Sequence, residues 1–146
     1  MRIYLDMCCF NRPYDDQSQL RIAMETQSKL EIQNNIKNGN FELVSSYMLD
    51  YECGQNPDFT KRNNILAFIE QYSSQYIGIE RKEVIEKKAD VLMKNGLKFK
   101  DACHVASAIY AKCDYFITTD KRLLRHKSDE VKMVTPIEFI TEMEDE

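Results

Sequence analysis

An α/β fold, with helices covering both faces of a central parallel sheet, is what this sequence predicts. Three observations lead there. Short apolar runs rich in β-branched and aromatic residues alternate with amphipathic stretches of helical length along the chain. The run Tyr115–Thr118 is apolar on both alternating faces, as a strand buried inside a parallel sheet requires. The 146 residues, 43% hydrophobic and 30% charged, suffice for one core and read as a single domain, 1–146.

The elements follow in order. Arg2–Leu5 reads as a first strand and Asn11–Asp16 as a loop. A long helix is expected from Gln17, with Leu20, Ala23, Met24, Leu30 and Ile36 inward, ended by Asn38-Gly39-Asn40. Phe41–Val44 is the second strand, and Ser45 or Ser46 caps a short helix carrying Asp50 and Glu52. Gly54 and Pro57 break that helix before another over Asp58–Tyr72, and Tyr76–Ile79 reads as a short strand. Arg81–Asn95 is a helix stopped by Gly96. Lys100–Lys112 is a second, whose Ala102, Val105, Ala106 and Ala108 permit close packing. After the strand Tyr115–Thr118, Asp120 opens a short basic helix. Lys132–Val134 is the last strand, Pro136 sits in the first turn of a final helix, and Glu142–Glu146 reads as a frayed acidic tail.

Composition narrows the function. No apolar run approaches the roughly 18 residues of a membrane span, and no leader pattern stands out, so a cytoplasmic protein is expected. The five cysteines, Cys8, Cys9, Cys53, Cys103 and Cys113, contain no C-x-x-C pair and read as reduced thiols rather than disulfides or a zinc site. A net charge of −4 and a pI near 5.3 argue against a protein held to nucleic acid by bulk electrostatics alone. Lys98, Lys100, Lys121 and Arg122 nevertheless flank two acidic positions, so a basic rim around an acidic pit is expected.

Four acids carry the chemistry. Asp6 follows Ile3-Tyr4-Leu5, Glu52 follows the segment Leu43–Leu49, Asp101 heads a helix, and Asp120 follows Phe116-Ile117. In an open parallel sheet, ligands bind beyond the carboxyl ends of the strands, so these four are expected to meet in one pocket. Carboxylates that share a pocket repel, and the cation suited to hard oxygen donors is Mg²⁺ or Mn²⁺. Asp50 competes with Glu52, but lies about 200° round the same helix, so only one can face the pocket. Tyr4 and Tyr115 read as core residues, Asp114 as a turn residue, and His104 as packed or solvent-facing.

The chain resembles the PIN-domain family. The resemblance rests on Leu5-Asp6, on Val44-Ser45-Ser46 followed by Glu52, on Gly96–Ala106 with its G-L-x-x-x-D-A-x-x-x-A pattern, and on Phe116-Ile117-Thr118-Thr119-Asp120. It spans nearly the whole chain in the family's order. It implies a three-layer α/β/α fold around a parallel sheet of five strands and a Mg²⁺- or Mn²⁺-dependent ribonuclease. Asp6, Glu52, Asp101 and Asp120 would form the catalytic and metal-holding set, with hydrolysis of a phosphodiester by an activated water. It also implies an RNA substrate, a homodimer, and for many members an antitoxin partner. Arg12, Lys98, Lys100, Thr119, Lys121 and Arg122 are candidates for substrate contact. Met7 and Cys8 stand where the family usually has a hydroxyl residue and then Ser or Asn. A hydrogen bond supporting the site is therefore expected to be missing unless Asn11 or Ser46 supplies it.

Two other classes compete. A degenerate PIN-like module would bind RNA or protein without cutting, and Met7-Cys8 is the feature in its favour. A phosphotransfer domain with Asp6 as nucleophile would want a second Asp at position 8, which is Cys8.

Overall fold

A computed structural model describes residues 1–145. Its sheet holds β1 (Arg2–Leu5), β2 (Glu42–Ser46), β3 (Ser73–Ile77), β4 (Tyr115–Ile117) and β5 (Lys132–Val134), all parallel, in the order β3-β2-β1-β4-β5. Around it, among the described residues, lie α1 (Met7–Asn11), α2 (Leu20–Lys37), α3 (Tyr47–Gly54), α4 (Phe59–Tyr72), α5 (Lys82–Lys94), α6 (Phe99–Tyr110), α7 (Lys121–Arg125) and α8 (Pro136–Glu144). The expected three-layer α/β fold is therefore present. No helix among the described residues is long and apolar enough to cross a membrane.

β1 is central and fully apolar at Ile3, Tyr4 and Leu5, each 0% exposed. Its register sets Tyr4 beside Phe116 on β4, and the two rings stack at 5.2 Å between centroids. α6 is the most deeply buried helix. Ala102, Val105, Ala106 and Ala108 are wholly buried, and their small side chains let α6 lie close to the sheet and to α5. Gly96, at φ +102°, makes the left-handed turn between α5 and α6 that a residue with a Cβ adopts only under strain.

Several boundaries differ from expectation. Met7–Asn11 is a helix rather than plain chain, capped by Asp6, and Arg12–Tyr14 continues it as a 3₁₀ turn. α2 begins at Leu20, not Gln17. The Gln17 amide is tied to the carbonyls of Arg12 and Asp15, and Ser18 N–H donates to Asp16, so this stretch is held in turns. The buried stripe of α2 is Ile22, Glu25, Thr26, Lys29, Ile32 and Ile36, while Leu20, Met24 and Leu30 are exposed. Buried polar residues hold that stripe because they are partnered: Glu25 pairs with Arg12, and Lys29 lies over the rings of Phe10 and Phe68. β3 lies three residues earlier than the run Tyr76–Ile79, because an edge strand tolerates Ser73, Ser74 and Gln75. Glu142 is not frayed: it takes hydrogen bonds from Tyr115 and Lys132, and only Glu146 lies outside the described residues.

Candidate functional site

The chain runs outward from β1 through β2 to β3, then crosses back to place β4 on the other side of β1. The crevice between β1 and β4 at the carboxyl edge is thus the switch point, where open α/β sheets bind ligands. Asp6 is the residue after β1, and Thr118, Thr119 and Asp120 follow β4. α3 leaves the end of the neighbouring β2 with Glu52 in its last turns, and α6 enters with Asp101 in its first.

Asp6 is 6% exposed and tightly held. Its Oδ1 accepts the Met7 N–H at 2.9 Å, and its Oδ2 accepts the Thr118 hydroxyl at 2.8 Å. The Cys8 thiol donates to the same Oδ2 at 3.4 Å and accepts the Thr119 N–H at 3.3 Å. The hydrogen bond expected to be missing is therefore made by Cys8 and Thr118. Neither proposed substitute makes it: Asn11 Oδ1 is buried without a hydrogen-bond partner, and Ser46 is bonded to Tyr4. Thr118 also accepts the Asp120 N–H at 3.0 Å, so one buried hydroxyl links the loops carrying two of the four acids. Asp120 caps α7, accepting the Arg122 N–H at 2.8 Å.

Asp101 is a third helical residue rather than a cap: Lys98 occupies the cap position and makes no side-chain cap bond. Burial, followed by the charges of Asp6 and Asp120, pushes the Asp101 carboxyl up to about 6. His104 opposes this and Glu52 adds to it. Asp101 thus feels the charges of the other three acids. Glu52 behaves oppositely. Burial pushes it up, but the hydrogen bond and charge of His104 and the charge of Lys100 outweigh that and leave it below its ordinary value. Its Oε1 meets His104 Nε2 at 2.5 Å. Asp50 faces elsewhere, as expected, and accepts the Tyr76 hydroxyl at 2.7 Å.

The candidate rim residues Lys98, Lys100, Lys121 and Arg122 are exposed, and Thr119 is half-buried. Lys100 also lies over the Tyr51 ring and lines a groove of about 380 Å³ with Tyr51, Phe99 and Lys82. Arg12 is committed elsewhere. Its guanidinium donates to Asp15 at 2.8 Å and to buried Glu25 at 3.0 Å, tying the end of α1 to α2.

Sequence reasoning missed Thr118, and it read Tyr4 as core and His104 as packed or solvent-facing. Both are buried, but each also holds a polar partner near the site. One signal was available: a tyrosine in a central buried strand needs a partner for its hydroxyl. Among the described residues, no three His, Cys, Asp or Glu side chains converge as a ready-made metal cage. The expected convergence of Asp6, Glu52, Asp101 and Asp120 as a set of three or more ligands is therefore not present among the described residues. Mg²⁺ takes one or two carboxylates and keeps several waters, so the donor chemistry of these acids, all hard oxygens, suits a hydrated ion of that kind held by one or two of them.

Two solved structures share this fold. VapBC2 from Rickettsia felis, bound to a DNA fragment from its promoter, aligns with a TM-score of 0.58 at 12% identity, covering 92% of this chain and 98% of that chain. FitAcB from Neisseria gonorrhoeae aligns with a TM-score of 0.55 at 14% identity, covering 92% and 97%. The likeness is one of fold. No protein-family model and no curated protein matches the chain.

Proposed function

We propose that this chain is a Mg²⁺- or Mn²⁺-dependent ribonuclease that hydrolyses RNA phosphodiester bonds. The observation that carries the reading is the raised carboxyl of Asp101, produced by burial and the charges of Asp6, Asp120 and Glu52 at the sheet's switch point. A shared cation relieves that repulsion. Asp6, Glu52, Asp101 and Asp120 would hold it, and when bound it supplies an activated water and neutralises charge on the phosphate. The chain's own residues do the rest. Thr118 and Cys8 fix the Asp6 carboxylate. Asp101, partly protonated near pH 6 without cation, gives up its proton as the site fills. Lys98, Lys100, Lys121 and Arg122 follow the sugar–phosphate backbone, and the exposed aromatics Tyr51 and Phe99 beside Lys100 suit stacking by unpaired bases.

The same reading takes the chain as a cytoplasmic homodimer, working as a toxin beside an antitoxin protein. The likeness of fold to VapBC2 and FitAcB supports the antitoxin partner within that reading. The rival reading, a PIN-like module that binds without cutting, drew on Met7-Cys8. The Cys8 thiol does contact Asp6 and the Thr119 N–H, which supports the cutting reading. Incubation of a mixed RNA pool with Mn²⁺, against an EDTA control, separates the two. Cleavage only with Mn²⁺, abolished by Asp6→Asn, is expected. Binding of RNA without cleavage at any Mn²⁺ concentration would favour the rival.

A further inference from the structure

Glu52 is the end of a buried chain of hydrogen bonds that starts at a backbone amide. Leu49 N–H donates to Ser46 Oγ at 3.3 Å, Ser46 meets the Tyr4 hydroxyl at 2.7 Å, Tyr4 meets His104 Nδ1 at 2.6 Å, and His104 Nε2 meets Glu52 Oε1 at 2.5 Å. Ser46, Tyr4 and His104 are each 0% exposed, and the Glu52 side chain is 24% exposed. The three interior residues come from β2, β1 and α6, so the chain spans the elements that converge on the site.

The ends of the chain fix its direction. A backbone N–H only donates, so Ser46 Oγ accepts at one end. An ionised carboxylate only accepts, so His104 Nε2 carries a proton at the other. With a neutral ring, Nδ1 is then an acceptor. Tyr4 must donate to it, and the Tyr4 oxygen in turn accepts from Ser46. Every link is satisfied by one proton, and all point toward Glu52. For an uncharged ring the network thus assigns the tautomer, with the proton on Nε2; a charged ring would instead donate from Nδ1 to Tyr4 and leave the Nε2 contact to Glu52 unchanged. It also holds one oxygen of Glu52, Oε1.

We infer that His104, Tyr4 and Ser46 are positioning residues that hold the Glu52 carboxylate in one orientation for the cation site. The inference rests on the proposed cation site. It adds a dependence of that site on a tyrosine hydroxyl two hydrogen bonds away from the carboxylate. Supporting partners of ligating groups typically change metal affinity or activity 10- to 100-fold when removed.

Tyr4→Phe is the discriminating variant, because it keeps the ring stacked on Phe116 and removes only the hydroxyl. Two measurements are made on the full chain: ¹⁵N chemical shifts of the His104 ring without metal, and Mn²⁺ affinity by calorimetry. In wild type at a pH where the ring is uncharged, a protonated Nε2 and an unprotonated, hydrogen-bonded Nδ1 are expected. In Tyr4→Phe, Nδ1 loses its donor, its shift moves, and Mn²⁺ binds about tenfold more weakly. Ser46→Ala, one link further away, should weaken binding less. If RNA is cleaved, kcat at a fixed limiting Mn²⁺ concentration should fall in Tyr4→Phe while KM for RNA holds. An uncharged wild-type ring carrying its proton on Nδ1 would overturn the relay. So would a Tyr4→Phe protein that melts lower yet binds Mn²⁺ within about twofold of wild type, since that marks a purely structural hydroxyl. Failure of wild type itself to bind Mn²⁺ is a different result. It overturns the cation site, and the positioning role falls with it.

Discussion

Replacing Asp101 by Asn removes one charge from the four-acid field and keeps the side chain's shape. In the metal-free protein, burial and the charges of Asp6 and Asp120 raise this carboxyl from the ordinary 3.8 to about 6. That shift corresponds to at most about 3 kcal/mol of strain in the ionised state. Partial exposure of Asp101 and solvent screening reduce it to about 1–2 kcal/mol. Against this gain, Asn forgoes the interaction of a first-turn carboxylate with the α6 dipole, about 0.3–1 kcal/mol. The balance is neutral to about 1.5 kcal/mol in favour of Asn. For a chain of this size that is a melting temperature equal to wild type or up to roughly 5 °C higher. The sign with pH follows from the direction of the shift. The folded state holds the proton more tightly than the unfolded chain, so metal-free wild type should lose stability as pH rises from about 4 to about 6. Asp101→Asn should lack that component of the loss. Added Mn²⁺ should raise the melting temperature of wild type more than that of the variant, because a ligand stabilises only the state that binds it. Cleavage should fall about 10- to 100-fold or more. Thermal melts from pH 4 to 7, with and without Mn²⁺, beside an RNA cleavage assay, provide the test. A variant that melts well below wild type without metal and gains equally from Mn²⁺ would refute the reasoning and make Asp101 a purely structural residue.

Other outcomes follow from single contacts. Thr118→Val should cost about 1–3 kcal/mol in urea denaturation, because the buried Asp6 Oδ2 and the Asp120 N–H both lose the hydroxyl; Thr118→Ser, which keeps it, should recover most of that. Lys29 is buried and its ammonium is pushed down to about 8, first by burial. The folded state therefore binds that proton less well than the unfolded chain, and this component of stability rises with pH between about 8 and 10.5. Lys29→Met should stabilise the protein at pH 7, with a gain that shrinks above pH 9, as read by denaturation at several pH values. Removing Lys100 or Lys121 should weaken single-stranded RNA binding for all sequences alike and reduce the slope of log affinity against log salt by about 0.7 each. Anisotropy at several salt concentrations measures that slope, and an unchanged slope in both variants would mean that neither lysine touches the backbone.

The places of Asp6 and Asp120 were legible in the sequence because each directly follows an apolar strand run and caps the next helix. That Asp50 and Glu52 lie on different faces was legible from 3.6-residue periodicity, while the preference for Glu52 came from the family resemblance in its spacing from Ser46. The helix Met7–Asn11 was not legible: five residues are too few to show a period, and its start depends on the Asp6 carboxylate. The buried stripe of α2 was misread because Glu25 and Lys29 count as polar until Arg12, Phe10 and Phe68 are known to surround them. Cys8 read as a defect for the same reason. Its thiol acquires a role only once β4 lies beside β1 and brings Thr118 and Thr119 within reach. The links from Tyr4 to His104 and from His104 to Glu52 join residues 100 and 52 positions apart, where no local pattern operates.

Calorimetric titration of Mn²⁺ into the wild-type protein and into Asp6→Asn, Glu52→Gln, Asp101→Asn and Asp120→Asn tests the central claim most directly. The four acids acting as one cation site predict saturable binding by wild type, weakened at least about tenfold by each substitution. They also predict proton release on binding near pH 6, seen as a dependence of the heat on buffer. Absence of saturable binding by wild type, or affinities in all four variants equal to wild type, would contradict it.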